Sequence, residues 1–260
     1  SVAATDHKDK LASFSNYGIT NAHVAAPGVS ITSTTPRTTT SAMTSYGIST
    51  NYSALSGTSM AAPHVSGTIA LLFSQNPTNS LSVAQIKDRI ISRGDPVEGL
   101  VGKVKVNTRL NVFNVLNANW QPAPPAFKLL PVVIDDAPQG NNDDIANPGE
   151  TLNLGTQFVN WGQQQATNVT AQITSTSTDV TILSTSPATL WNINPTGSQT
   201  ALFQVRLNSS LADNAVIPFE FVVRYNGSQE KRLPYSLVIT KSQPRTETPA
   251  NFQIGEMKAD

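Results

Sequence analysis

The sequence predicts an α/β unit followed by an all-β sandwich. Three observations carry this reading. Residues 1–118 alternate short apolar strands with loops and helical patterns. Residues 131–240 run strand after strand at period two with no helical signal. Between them, residues 119–130 contain Trp120-Gln121-Pro122-Ala123-Pro124-Pro125-Ala126, and so proline-rich a segment reads as a stiff linker. Residues 241–260, polar with two prolines, read as a tail.

The first helix is expected over residues 59–74, with Val65, Ile69, Leu72 and Phe73 along one face. Pro63 falls in its first turns, where a missing N–H costs least. The second helix begins at Ser82, which pairs with Gln85 as a capping box ahead of Ile86, Ile90 and Ile91. Gly94 and Pro96 end it. A third, short helix is expected over 107–116 from Leu110, Phe113 and Leu116.

The β region alternates cleanly. Leu152, Leu154 and Phe158 share a face, as do Val169, Ala171 and Ile173, and then Ala201, Phe203, Val205 and Leu207. Ile217, Phe219, Phe221, Val223 and Tyr225 face Leu233, Tyr235, Leu237 and Ile239 across Asn226-Gly227, a tight-turn pair. About seven strands of this kind predict a sandwich of about 110 residues.

Composition narrows the function. The 260 residues carry 17 basic and 17 acidic side chains, so the net charge is zero. A nucleic-acid partner is excluded for want of a basic footprint. Charged residues are only 13% of the chain, about half the usual share, while 38% are apolar, which excludes disorder. Ser, Thr and Asn take the place of charge, and such a chain reads as rigid, β-rich and extracytoplasmic. There are no cysteines, hence no disulfide, thiolate metal site or Cys nucleophile. No apolar run approaches the roughly 18 residues of a membrane helix, and no stretch reads as a signal peptide. The chain opens directly in what reads as a buried strand, so it is expected to be part of something longer.

One stretch carries chemistry: Gly57-Thr58-Ser59-Met60-Ala61-Ala62-Pro63-His64-Val65-Ser66-Gly67. A serine in the first turn of a helix sits at the positive end of the helix dipole. Its own N–H is not used by the helix and can face an anion. Gly57 permits a sharp turn, and Ala61, Ala62 and Gly67 keep the helix slim. On position alone two readings stay open. Ser59 is an ordinary helix cap, or it is a nucleophile whose N–H helps hold the oxyanion it creates.

The whole string resembles the nucleophile motif of the subtilisin-like serine peptidases (subtilases), Gly-Thr-Ser-Met-Ala-x-Pro-His-Val-x-Gly, and matches every fixed position. Val2-Ala3-Ala4-Thr5, Leu11-Ala12-Ser13-Phe14-Ser15-Asn16-Tyr17-Gly18, Val24-Ala25-Ala26-Pro27-Gly28-Val29-Ser30-Ile31 and the 102–116 region resemble the same family in order and spacing. The resemblance covers residues 1–118. It implies the C-terminal portion of a parallel-sheet catalytic domain and peptide-bond hydrolysis through an acyl-enzyme on Ser59. Gly57, Thr58, Met60, Pro63 and His64 would support the motif.

The family orders its triad Asp, His, Ser along the chain. Its Asp, its His and the Asn of its oxyanion hole all precede the strand at which this sequence begins. Of the histidines present, His64 lies about 140° round the helix from Ser59, and His7 and His23 lack the setting of the family's base. This chain alone is therefore expected to be inactive. Its expected partners are a protein or peptide substrate and the missing N-terminal portion, in the same chain or a second one. No nucleic acid or membrane is among them. The Ser/Thr-rich stretch 32–51 is a candidate substrate-side loop or simply a solvated one.

Five acidic residues, Asp135, Asp136, Asp143, Asp144 and Glu150, cluster ahead of the first long strand of the sandwich. Oxygen-rich loops suit Ca²⁺, although the spacing is not that of an EF-hand, so the loop is a candidate structural calcium site or a solvated turn. The segment 141–150 followed by Asn160-Trp161-Gly162 resembles the opening of immunoglobulin-like domains appended to secreted bacterial enzymes. That implies an accessory domain in an extracellular, bacterial setting. Trp161 and Trp191 are a binding platform or ordinary packing. The competing functional reading is a non-catalytic fragment whose sandwich serves docking, adhesion or secretion.

Overall fold

The computed structural model describes residues 1–75 and 81–241; the expected tail beyond 241 lies outside the described residues. The first part mixes α and β. Its strands are β1 (Val2–Thr5), β2 (Val24–Pro27), β3 (Ile31–Thr34), β4 (Tyr52–Leu55), β5 (Asp95–Pro96) and β6 (Thr108–Arg109). Its helices are α1 (Ser41–Ser45), α2 (Thr58–Gln75), α3 (Val83–Ser92) and α4 (Val112–Leu116), with a 3-10 turn at Glu98–Leu100. One sheet runs in the order β1-β2-β6-β5, with β1, β2 and β6 parallel, and β3 and β4 form a separate antiparallel pair. Parallel strands need covered faces, and β1 and β2 are accordingly buried alanines: Ala3, Ala4, Ala25 and Ala26.

Helix α2 begins and ends within a residue of expectation, but its buried side differs. Ala61, Thr68 and Leu72 are buried, Val65 and Ile69 partly so, and Phe73 stays 41% exposed. Alanine-lined strands admit a close approach, so the slim side of the helix faces the sheet. Pro63 also lies deeper than expected. Its missing N–H is the one that would bond the Ser59 carbonyl, four residues back.

Helix α3 follows its sequence closely. Ser82 accepts from the Gln85 N–H, and the Gln85 side chain accepts from the Ser82 N–H, completing the capping box. The third helix is shorter than expected. Asn107 takes a positive φ, Arg109 pairs with Ala25 in the sheet, and Asn111 then caps α4 by accepting from the Asn114 N–H.

The second part is β throughout: β7 (Phe127–Leu129), β8 (Val133–Gln139), β9 (Thr151–Asn160), β10 (Ala166–Ser175), β11 (Val180–Ile182), β12 (Ala188–Ile193), β13 (Ser198–Leu207), β14 (Val216–Tyr225) and β15 (Gln229–Val238). These nine strands, against the seven expected, form two antiparallel sheets, β12-β10-β14-β15 and β11-β13-β9-β7 with β8 also on β9. The alternating residues named from the sequence meet in one core between the sheets. Phe158 and Phe203 of one sheet and Phe221 of the other stand 5.4 to 6.3 Å apart, centroid to centroid, the spacing favoured by aromatic pairs. Asn226 and Gly227 both take positive φ between the paired strands β14 and β15.

The proline segment does not behave as a free spacer. It ends in a strand, β7, and residues 122–126 are pinned along the loop after β9. Asn160, fully buried, accepts from the Ala126 and Gly162 N–H groups and donates to the Gln164 and Ile193 carbonyls. Gln163 donates from Nε2 to the Ser92 and Gly94 carbonyls at the end of α3, and Arg93 stacks 5.4 Å over the Trp120 ring.

Candidate active site

The site grows from the carboxyl ends of the parallel strands, where open α/β sheets place their ligands. Three backbone bonds chain these ends together. The Gly28 N–H donates to the Thr5 carbonyl at 2.9 Å, and the Gly57 N–H donates to the Gly28 carbonyl at 2.8 Å. The Gly57 carbonyl then accepts from the Met60 and Ala61 N–H groups at 3.0 and 3.3 Å, opening helix α2. A Cβ at Gly28 would lie 2.6 Å from the Ala4 Cβ and 2.8 Å from the Gly57 carbonyl oxygen. Glycine at 28 is thus a condition for docking the helix start on the sheet.

Because helical bonding starts from Gly57, Ser59 is the second residue of the helix and not its cap. No bond from its hydroxyl to a backbone N–H of the first turn is present, and Ser59 is exposed. That removes the capping reading. The Thr58 and Ser59 N–H groups have no acceptor within the helix and stand at the positive end of its dipole. The arrangement can present a hydroxyl to a carbonyl carbon and an N–H to the resulting oxyanion.

Thr58 and Gly57 are half-buried at the same turn. Beside them a hollow of about 470 Å³ is walled by Ile31–Thr35 of the β3 region, Leu55 of β4, and Met60, Pro63 and His64 of α2. Part of the 32–51 stretch therefore does line a cavity next to the serine helix, which its composition left open.

Among the described residues no histidine is hydrogen-bonded to Ser59. His64 Nδ1 lies 3.0 Å from the Met60 carbonyl oxygen, so the ring is tethered to its own helix with Nδ1 as donor. His23 Nδ1 contacts the Ser1 amino group, and His7 lies exposed in the 6–9 turn.

The acidic loop is ordered by its own hydrogen bonds. Asp136 is fully buried and accepts from the N–H groups of Asn142, Asp143 and Asp144. Burial pushes its carboxyl up, but the N–H groups of Asp144, Asn142 and Asp143 outweigh it and hold the acid below its usual range. Gly140 makes the wrap possible, since a Cβ there would meet the Asp136 side chain at 2.5 Å. Asp135 accepts from Ala137 N–H and Asn153 Nδ2, Asp143 from Ile145 N–H, and Glu150 from the Asn141 and Asn147 N–H groups. Among the described residues no three acidic or histidine side chains converge as a metal site. N–H donors thus face the carboxylate oxygens of Asp135, Asp136, Asp143 and Glu150, while Asp144 contributes its own backbone N–H. They organise the loop through hydrogen bonds.

Residues 1–112 match the subtilase family. The chain is 40% identical over 115 residues to the thermophilic serine proteinase of Bacillus sp. (strain AK1), covering 44% of this chain and 24% of that protein. It is 38% identical over 115 residues to thermitase of Thermoactinomyces vulgaris, 44% and 35% of the two chains. It is 43% identical over 91 residues to subtilisin DY of Bacillus licheniformis, 35% and 28% of the two chains. The chain thus spans about a quarter to a third of the length of these curated relatives. Among solved structures, a FixG-related protein from Vibrio parahaemolyticus matches at TM-score 0.28 and 8% identity over 45% of this chain and 96% of that one. The motif, its setting at the strand ends and these matches make the first part of the chain similar to part of a subtilisin-like peptidase.

Proposed function

We propose that this chain carries the nucleophile-bearing portion of an extracellular subtilisin-type serine endopeptidase. The observation that carries the proposal is the seat of Ser59: an exposed residue in the first turn of α2, next to Met60 on the wall of a 470 Å³ hollow, its hydroxyl without a hydrogen bond among the described residues. Ser59 Oγ attacks the scissile carbonyl carbon, and the Ser59 N–H donates to the oxygen that becomes negative. A histidine from a preceding segment takes the Oγ proton and returns it to the leaving amine. An Asp holds that histidine in place, and water then frees the acyl group by the reverse path. The hollow walled by Thr32–Thr35, Leu55 and Met60 receives part of the substrate chain.

The surface also suits a missing portion. On the outer edge of β1 the Ala12 N–H and the Ser15 hydroxyl bond Ala4, but among the described residues no strand pairs there with Val2, and Leu71 and Phe73 of α2 are 50% and 41% exposed. A partly unpaired edge and apolar helix faces are what a preceding part of the sheet would cover. Low charge and a hydroxyl-rich composition favour an extracellular setting.

The test is fluorophosphonate treatment followed by intact mass and peptide mapping. The chain by itself, shown folded by circular dichroism, acquires no stoichiometric adduct. A form extended by the segment that supplies the histidine is labelled at Ser59, and Ser59→Ala abolishes the label. Labelling of Ser59 in the chain alone would mean that His7, His23 or His64 serves as base, and would overturn the proposed division of the site.

A further inference from the structure

Trp191 lies on β12, at the edge of the second part's four-stranded sheet. It is 73% exposed, and its backbone sits at φ +58°, a conformation that bulky side chains avoid. The cause is a bulge. Leu190 and Ile193 both point into the core, which leaves two residues, Trp191 and Asn192, facing outward between them. The opposite strand shifts register around Val169, the partner of Trp191, and Asn168 also takes positive φ. Strain that displays a large aromatic to solvent contributes nothing to the core, and strained residues concentrate at functional sites.

The surroundings of the indole define what it would hold. Residues 151–178 and 180–205, spanning β9 to most of β13, contain no Asp, Glu, Lys, Arg or His. In their place stand amides and hydroxyls. Asn192 accepts from the Asn168 N–H and is itself exposed beside Trp191, Gln165 Nε2 donates to Asn194 Oδ1, and Thr189 lies opposite Thr170. Next along the sheet, Arg224, Glu230, Arg232 and Glu220 pair with one another at 2.9 to 3.0 Å. A flat apolar ring among uncharged amides offers stacking to one face of a ring and hydrogen bonds to its rim. It offers nothing to an ion.

We propose that Trp191, with Asn168 and Asn192, forms a binding site for a neutral, hydroxyl-rich carbohydrate chain. The pyranose face stacks on the indole, and its hydroxyls bond to the amides. The site is independent of Ser59, and its failure would leave the peptidase reading untouched.

The test uses the full chain against insoluble cellulose and chitin, and against cellohexaose and chitohexaose in solution by tryptophan fluorescence. Retention on at least one polymer and a blue shift with its hexasaccharide are expected. Trp191→Ala, with unchanged circular dichroism, weakens binding about ten-fold or more, the loss expected of one aromatic stack. Trp191→Tyr restores part of it, and Ser59→Ala binds like the parent. The proposal is overturned if the parent binds neither polymer or if Trp191→Ala binds equally well. It is also overturned if the substitution only dissolves a self-associated form, which would make the tryptophan a contact between copies.

Discussion

Consider alanine at Gly28 and at Gly67, the same added methyl group in two settings. At Gly28 the new Cβ meets the Ala4 Cβ at 2.6 Å and the Gly57 carbonyl oxygen at 2.8 Å, and neither neighbour is a flexible side-chain end. The strand end and the helix start must separate, which costs about 1–3 kcal/mol as overpacking. The Gly57 N–H to Gly28 carbonyl bond lengthens as they part, a further loss of about 1 kcal/mol. At Gly67, exposed in the middle of α2, nothing lies within 4 Å of the added Cβ. There alanine gains up to about 1 kcal/mol of helix propensity. All described helices lie before residue 117, so ellipticity at 222 nm during urea unfolding reports the first part. Gly28→Ala lowers its midpoint by about 1–2 M, and Gly67→Ala raises it by a few tenths of that, for a slope of 1–3 kcal/mol per molar. In the histidine-bearing form, Gly28→Ala also slows fluorophosphonate labelling of Ser59. A parent-like midpoint for Gly28→Ala, or an equal loss for Gly67→Ala, would refute the claim that backbone contact at Gly28 seats the serine helix.

Other outcomes follow from local geometry. Asp136→Asn destabilises the β part at neutral pH. The folded-state pKa of Asp136 lies below its ordinary 3.8, so its stabilisation is present above that value and lost as pH falls through the folded pKa. The parent's unfolding midpoint therefore drops below about pH 4, and the variant's drops less. Ser82→Ala removes the capping box of α3 and costs about 1 kcal/mol, measurable by the same 222 nm titration. Trp191→Asn relieves the positive φ at little packing loss and stabilises the β part by about 1 kcal/mol, read as a higher thermal midpoint. A lower midpoint would show that the indole packs.

What could be read from the sequence was what depends on neighbours along the chain. The capping box needs only Ser82 and Gln85, the β14–β15 turn only Asn226-Gly227, and the strand faces only their own alternation. The place of Ser59 was legible because an eleven-residue string marks a helix start and resembles a known nucleophile motif. The tertiary structure decided what depends on a partner distant in sequence. The alanine-lined sheet chose Ala61, Thr68 and Leu72 over Phe73 as the buried side of α2, because close packing rewards the face that can come nearest. Composition showed an acidic loop, and only the fold brought the backbone N–H groups of residues 142–144 onto the Asp136 carboxylate. The proline segment became a pinned edge through Asn160 and Gln163, and a bulge that no pattern announced turned Trp191 outward. Periodicity gives each residue a side, but which side is filled, and by what, is settled only when the rest of the chain arrives.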